Sequence, residues 1–253
     1  SAPKKMQHQP AQPFNPFKLL ADEDNPEAEV DVTSDDEDDE DEQSGSASAS
    51  AVEPRGESQH IGSEPSSSEH RLQYAYTLWY NRKCSTVATG SQKPSYDETL
   101  CQVATFRSLE QFWHLYAYLV RPSDIDTQTD YLIFKEGVRP MWEDAHNKDG
   151  GKWIIRLKKG LASRCFEAML FALLGEQFDV GDEICGTVMS IRFKEDILSV
   201  WNRTATDDVT TKQIRDIIKR TLNLPANTII EYKRHTDSLK DRSSYRNTDV
   251  YVR

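Results

Sequence analysis

Trp142 and Glu143 stand side by side in the stretch Gly137-Val138-Arg139-Pro140-Met141-Trp142-Glu143-Asp144. A broad π-face next to a carboxylate can hold a flat ligand. The ring attracts a cation over its face, and the carboxylate accepts N–H donors. The preceding run Tyr131-Leu132-Ile133-Phe134 reads as a strand, and Pro140 cannot donate to a sheet ladder and turns Arg139 away from helix. The pair therefore belongs in a loop at a strand end. Taken alone, it is better read as a loop tryptophan that closes the edge of a core. A second pattern is Ser190-Ile191-Arg192-Phe193-Lys194. Period two puts Arg192 and Lys194 on one face of a strand, Ile191 and Phe193 on the other. Two cations on one face are either a solvated exterior or a clamp for phosphate.

Catalytic constellations do not emerge. The six histidines (His8, His60, His70, His114, His146, His235) are scattered. His235, Asp237 and Ser238 are close in sequence, but they lie in a polar stretch that reads as a mobile loop, and a triad needs convergence in space. There is no phosphate-cradling glycine loop, no His-x-x-x-His and no paired cysteines. Cys84, Cys101, Cys165 and Cys185 lack metal-ligand spacing and read as reduced thiols. The residues point to binding, not catalysis, with no metal and no cofactor expected. No apolar run approaches membrane-spanning length, and no signal-like apolar core opens the chain. A soluble, cytoplasmic protein is expected, with the nucleus and P-bodies as further sites.

The whole-chain charge of −11 by itself argues against a phosphate-bearing ligand. Yet residues 1–69 hold 4 Lys/Arg against 18 Asp/Glu, and residues 70–253 hold 27 against 24. The acidity belongs to the N-terminal segment, and the remainder is mildly basic. Residues 35–42 are an unbroken acidic run, followed by Ser/Ala and Ser/Pro/Glu stretches. Such a segment cannot offset its ordering entropy by burial, so 1–69 reads as a disordered acidic tail. Its one apolar island, Asn15-Pro16-Phe17-Lys18-Leu19-Leu20, is a short linear motif or simply solvated tail, and Ser34 suits an acidophilic kinase.

Beyond the tail the periodicity changes. Strands are expected over about 72–80, 100–106, 131–135, 152–158, 228–232 and 250–252, with a hairpin over 184–193 and 197–201. Ser108-Leu109-Glu110-Gln111 has the form of a capping box, opening a helix with Leu109, Phe112, Trp113, Tyr116 and Leu119 or Val120 at helical spacing up to Pro122. A second helix covers 161–174 and stops at Gly175. A third is capped by Asp207 or Asp208, with Val209, Ile214, Ile217, Ile218 and Leu222 inward. Residues 82–98 and 234–247 read as loops. The fold class is α+β: a mainly antiparallel sheet of about eight strands with three helices on one face.

Several motifs now align in order: His70-x-Leu72-Gln73, Leu78-Trp79-Tyr80, Phe112-Trp113, Leu132-x-Phe134-Lys135-x-Gly137, Pro140-Met141-Trp142-Glu143-Asp144, Gly150-Gly151-Lys152-Trp153, Leu174-Gly175-Glu176, Cys185-Gly186, Arg192-x-Lys194 and Val200-Trp201. On these, residues 70–253 resemble the translation initiation factor 4E family of messenger-RNA cap-binding proteins. Leu174-Gly175-Glu176-Gln177-Phe178, Val200-Trp201-Asn202-Arg203-Thr204-Ala205 and Glu231-Tyr232-Lys233-Arg234-His235 resemble its 4E-homologous-protein branch, the class II repressors. The resemblance implies a curved sheet with the helices on its convex face and the cap in the concave one. It implies that Trp142 and Tyr96 stack on 7-methylguanine, Glu143 accepts two hydrogen bonds from the base, and Trp201 lines the methyl group. Lys152, Arg192 and Lys194 take the phosphates, and Lys240 or Arg242 reaches the chain beyond. Tyr96 stands where most of the family has Trp, Lys152 replaces an Arg, and Ile197 replaces a third basic residue. Weaker cap binding is expected from the changes at Tyr96 and Ile197.

The resemblance also implies a back surface of His70, Leu72, Leu109, Trp113, Leu170, Phe171, Leu174 and Gly175, docking a helical peptide with a Tyr-x-x-x-x-Leu-apolar motif. Such peptides come from 4E-binding or GYF-domain-type repressor proteins. Phe166 stands for the usual Trp and Ala168 for an acidic residue, so the initiation scaffold is not an expected partner. The expected protein is a monomeric, non-catalytic binder of capped messages that represses translation. The alternatives are an active initiation factor and an adaptor with a decayed pocket.

Overall fold

The computed structural model describes residues 62–82, 95–126, 128–225 and 227–251. The acidic run, the apolar island, Ser34, Cys84, Val252 and most of the 82–98 loop lie outside them. Eight strands form one sheet: β1 (Arg71–Arg82), β2 (Leu100–Ser108), β3 (Thr129–Lys135), β4 (Gly151–Leu157), β5 (Ile184–Ile191), β6 (Asp196–Asn202), β7 (Ile230–Arg234) and β8 (Asp249–Tyr251). Their order is β2-β1-β3-β5-β6-β4-β7-β8, and every pair is antiparallel. This is the curved, open, antiparallel sheet that the α+β reading expects.

Register divides the side chains. Trp79, Leu132, Val188, Ser199, Ile154 and Glu231 lie opposite one another in a row across six strands, so they share a face. The other face carries Tyr76, Tyr131, Met189, Leu198 and Trp153. It is covered by α2 (Leu109–Tyr116), α3 (Ala162–Leu174) and α4 (Asp208–Thr221). Phe112 of α2 packs on Phe106 at 5.5 Å, Phe166 of α3 stacks on Tyr131, and the indole N–H of Trp153 donates to the Thr211 carbonyl of α4 at 3.0 Å.

Two short helices add to the three expected: α1 (Tyr96–Thr99) and α5 (His235–Asp241). For α1 a complete capping box is responsible: the Ser95 hydroxyl accepts from Glu98 N–H, and the Glu98 carboxylate accepts from Ser95 N–H. The expected box at α2 is half made. Ser108 accepts from Gln111 N–H at 3.1 Å, but the Gln111 side chain turns to Arg107 N–H. The 234–247 stretch, read as a mobile loop, contains α5, which two contacts tie inward: Asp241 holds Lys233, and Ser238 donates to the Arg234 carbonyl. Val209 is not inward. It lies in the first turn of α4, before that helix meets the sheet, and is exposed. Residues 62–69 lie against β2 and α2, where Glu69 accepts from Ser108 and Gln111.

Candidate functional site

The loop after β3 is braced from within. Gly137 takes a positive φ of 83°, and the fully buried Asn147 donates to the carbonyls of Arg139 (2.7 Å) and Met141 (2.8 Å). The Asp144 carboxylate accepts from the N–H groups of Arg139 and His146. This holds Trp142, half-buried, against a core of Leu132, Phe134, Val138, Val188 and Trp201. Glu143 points outward, exposed, and among the described residues makes no hydrogen bond or ion pair. The loop then enters β4 through Gly150 and Gly151. A Cβ would meet the Asn202 carbonyl at 2.0 Å at the first position and the Tyr232 hydroxyl at 2.4 Å at the second. Only glycine admits so close a packing of β4 between β6 and β7.

That entry aims Lys152 into the concave face, where it is 3 % exposed. Its ammonium lies 5.8 Å from the Trp142 ring, 5.6 Å from Trp201 and 4.9 Å from Tyr245. Across the strand pair stands a second buried cation, Lys233. The other charges nearby are answered. Lys233 is held by Asp241 at 2.6 Å and by the Arg246 carbonyl, and Arg192 by Asp130 at 2.7 Å. Among the described residues Lys152 has no ion pair. Burial, and then the neighbouring Lys233, push its pKa down to about 7. An ammonium with three aromatic faces and no counter-ion is a standing demand for an anion.

Trp201 is buried beside it, edge-on to Phe134 at 5.2 Å and 4.2 Å from the His235 ring. Burial, followed by the Lys152 charge, holds the His235 imidazole well below its usual value. Tyr96, the first residue of α1, keeps 44 % of its surface exposed. Burial of its hydroxyl end, near the Asp130 carboxylate and Tyr245, pushes the phenol up. Tyr96 and Trp142 both border the floor, but no ring contact joins them.

The cations are placed differently from the alternation argument. β5 ends at Ile191, so Arg192 and Lys194 belong to the turn before β6 and not to a strand face. Arg192 still reaches the floor through Asp130, whereas Lys194 is exposed. Ile197 is buried. Lys240 points outward on α5 with its ammonium on Asp237 at 3.4 Å, and no described contact brings it to the cluster. Arg242 is exposed at a positive φ of 50°. The floor uses residues that sequence reasoning passed over: Asp130, Lys233, His235 and Tyr245, whose hydroxyl pairs with that of Ser190 at 3.3 Å. For Lys233 the available signal was the alternation of charge in Glu231-Tyr232-Lys233; Asp130, His235 and Tyr245 carried none.

On the helix side, Leu72, Leu109, Trp113, Phe171, Leu174 and Gly175 line one groove, joined by Arg71, Gln73, Phe112 and Glu176. Trp113 is 49 % exposed, and its ring lies 5.6 Å from that of Phe171. Two expected members differ. Leu170 is fully buried core, and His70 lies outside the groove, paired with Glu110 at 2.7 Å. That carboxylate raises the pKa of the His70 imidazole.

Residues 71–250 match the family model described as Eukaryotic initiation factor 4E. The chain is 46% identical over 192 residues to "Eukaryotic translation initiation factor NCBP" of Triticum aestivum, covering 76% of this chain and 81% of that protein. It is 49% identical over 183 residues to "Eukaryotic translation initiation factor 4E-4" of Caenorhabditis elegans, covering 72% and 84%. Among solved structures, C. elegans eIF4E-3 in complex with the 4E-binding protein Mextli and a cap analog superposes with a TM-score of 0.62 at 34% identity, covering 72% of this chain and all of that one. Ascaris suum eIF4E-3 with the m2,2,7G cap gives 0.62 at 33%, covering 72% and 98%.

Proposed function

The chain belongs to the eukaryotic initiation factor 4E family, and from that premise we propose that its concave face binds the 7-methylguanosine cap of messenger RNA without catalysis. The observation that carries this reading is the buried Lys152, an ammonium without a counter-ion at the meeting point of Trp142, Trp201 and Tyr245. A cap presents what such a site lacks. Its triphosphate answers Lys152 and competes with Asp130 for Arg192. Its cationic base lies on Trp142, with Tyr96 on the other side. Glu143, unengaged and exposed, accepts the guanine ring N–H and amine, a pattern adenine cannot offer. Trp201 borders the methyl group, and Lys194 lies at the outer end of the phosphates.

On this reading the protein represses translation. It holds capped messages in the cytoplasm away from the initiation machinery and recruits a repressor's helical peptide to the Trp113–Phe171 groove. An apolar groove with two half-exposed rings suits the apolar face of an amphipathic helix. Phe166 and Ala168 support the absence of a scaffold contact. Phe166 is buried and stacked on Tyr131, so it presents no ring outward where the family has Trp. The second reading, an active initiation factor, is favoured by the relatives' own names.

Tryptophan fluorescence titrated with 7-methyl-GTP and with GTP tests the first claim. The methylated ligand should quench strongly, GTP weakly, and Trp142→Ala should remove the response; equal or absent quenching would sink it. Pull-down with an initiation-scaffold peptide tests the second, where capture favours the active factor.

A further inference from the structure

The turn between β5 and β6 carries a feature that the cap pocket does not use. Phe193 is 88 % exposed, the most exposed large apolar side chain among the described residues. The alternation reading puts it on a strand face beside Ile191, but β5 stops at Ile191 and the ring stands in solvent. Its neighbours are cations. Arg192 precedes it, Lys194 follows it, and the Lys159 ammonium donates to the Arg192 carbonyl at 3.0 Å from the loop after β4. The acids of this rim are already engaged: Asp196 by Lys159 (2.7 Å), Glu195 and Glu231 by Arg156, and Asp130 by Arg192. Lys194 is exposed and without a partner among the described residues. The rim is continuous with the floor, since the same Arg192 that flanks Phe193 reaches Asp130 there.

We propose that Phe193 is a stacking platform for the first bases of single-stranded RNA beyond the cap, with Lys194 beside the phosphate that links them. The inference rests on the cap reading above. An exposed ring followed directly by a lysine unpaired among the described residues, Lys194, offers both things a single strand needs, a π-surface for bases and a positive charge for a phosphate. It is indifferent to sequence, because every base offers a π-face. Phe193 directly follows Arg192, which reaches the floor through Asp130, so a chain leaving the pocket on that side meets the ring with its first bases. A protein partner would instead call for an apolar patch around the ring, and its sequence neighbours are Arg192 and Lys194.

The test compares affinities for 7-methyl-GTP and for a capped adenosine pentanucleotide, with a capped abasic oligonucleotide as control, in the full chain. Wild type should prefer the pentanucleotide over both others. Phe193→Ala should keep its 7-methyl-GTP affinity and bind the pentanucleotide about fivefold or more weakly, and Phe193→Trp should restore the difference. Equal pentanucleotide binding by wild type and Phe193→Ala, with cap binding intact, would overturn the inference and leave the cap reading standing. Failure of wild type to bind any of the three would overturn the cap reading and this inference with it.

Discussion

The two candidate faces solve opposite problems with the same residue types. On the concave floor, aromatic rings surround a buried ammonium, Lys152, and the charges nearby are paired except that one. On the back, Trp113 and Phe171 are half-exposed around a mainly apolar groove that Arg71, Gln73 and Glu176 also line. The floor pays with desolvation and awaits a charge. The groove leaves apolar surface in water and awaits another apolar surface. The lesson is that an aromatic residue takes its meaning from what it shields. Binding on the floor should weaken with salt and pH, and binding on the back should be largely indifferent to both.

The sharpest way to separate them is Trp142→Ala. It should weaken 7-methyl-GTP binding by about 3 kcal/mol, over a hundredfold, while leaving helical-peptide binding unchanged in the same calorimeter. A parallel loss of peptide binding would mean that the faces are not independent. The converse change, Trp113→Ala, should cost the peptide about 2 kcal/mol or more, roughly thirtyfold, with cap affinity unaltered.

A smaller effect distinguishes the floor by pH. The Lys152 pKa is lowered to about 7, below that of the unfolded chain, so the free protein is charged there below pH 7 and neutral above. Phosphate binds the ammonium form, so cap affinity should fall as pH rises through 7, by about fivefold between pH 7 and 8 for one linked proton. Lys152→Arg cannot lose its proton and should remove this component. The titration of 7-methylguanine itself is common to both proteins and cancels in the comparison. For the free fold the sign is opposite. Native Lys152 binds fewer protons than the unfolded chain from about pH 7 upward, so its contribution to stability grows as pH rises there. Identical pH profiles for wild type and Lys152→Arg would remove Lys152 from the phosphate site. The smallest expected change is Tyr96→Trp, which enlarges the second stacking surface and should tighten cap binding by about 1 kcal/mol or less, a few-fold. Weaker binding would show that Tyr96 is set for its hydroxyl contacts instead.

Much of the fold was legible where one physical signal dominates. Alternating or continuous apolar runs marked all eight strands to within a few residues, and the Ala162–Leu174 stripe and the Asp207 cap marked α3 and α4. The misreadings share one cause. At 192–195 the alternation continues in sequence after the ladder has ended, so Phe193 was placed on a strand face with Ile191 although the strand stops before it. At 235–241 polarity suggested a loop, because a sequence does not say that Lys233 lies underneath to receive Asp241. Lys240, which the family resemblance sends toward the chain beyond the phosphates, stands on α5 with its ammonium on Asp237.

Residue order by itself determined the alternation of strands and helices, the pairing of Trp142 with Glu143 in one braced loop, and the family to which both belong. Those are properties of short windows, set by periodicity, proline and glycine chemistry, and motif. Only the tertiary structure decided which cation lacks a partner, which acids are already spent, and which aromatic stands in solvent. Charge pairing and burial are made between residues distant in the chain: Lys152 meets Tyr245, Arg192 meets Asp130, and Trp201 meets His235. A side chain's electrostatic environment, and with it the chemistry of the site, exists only once the strands have paired.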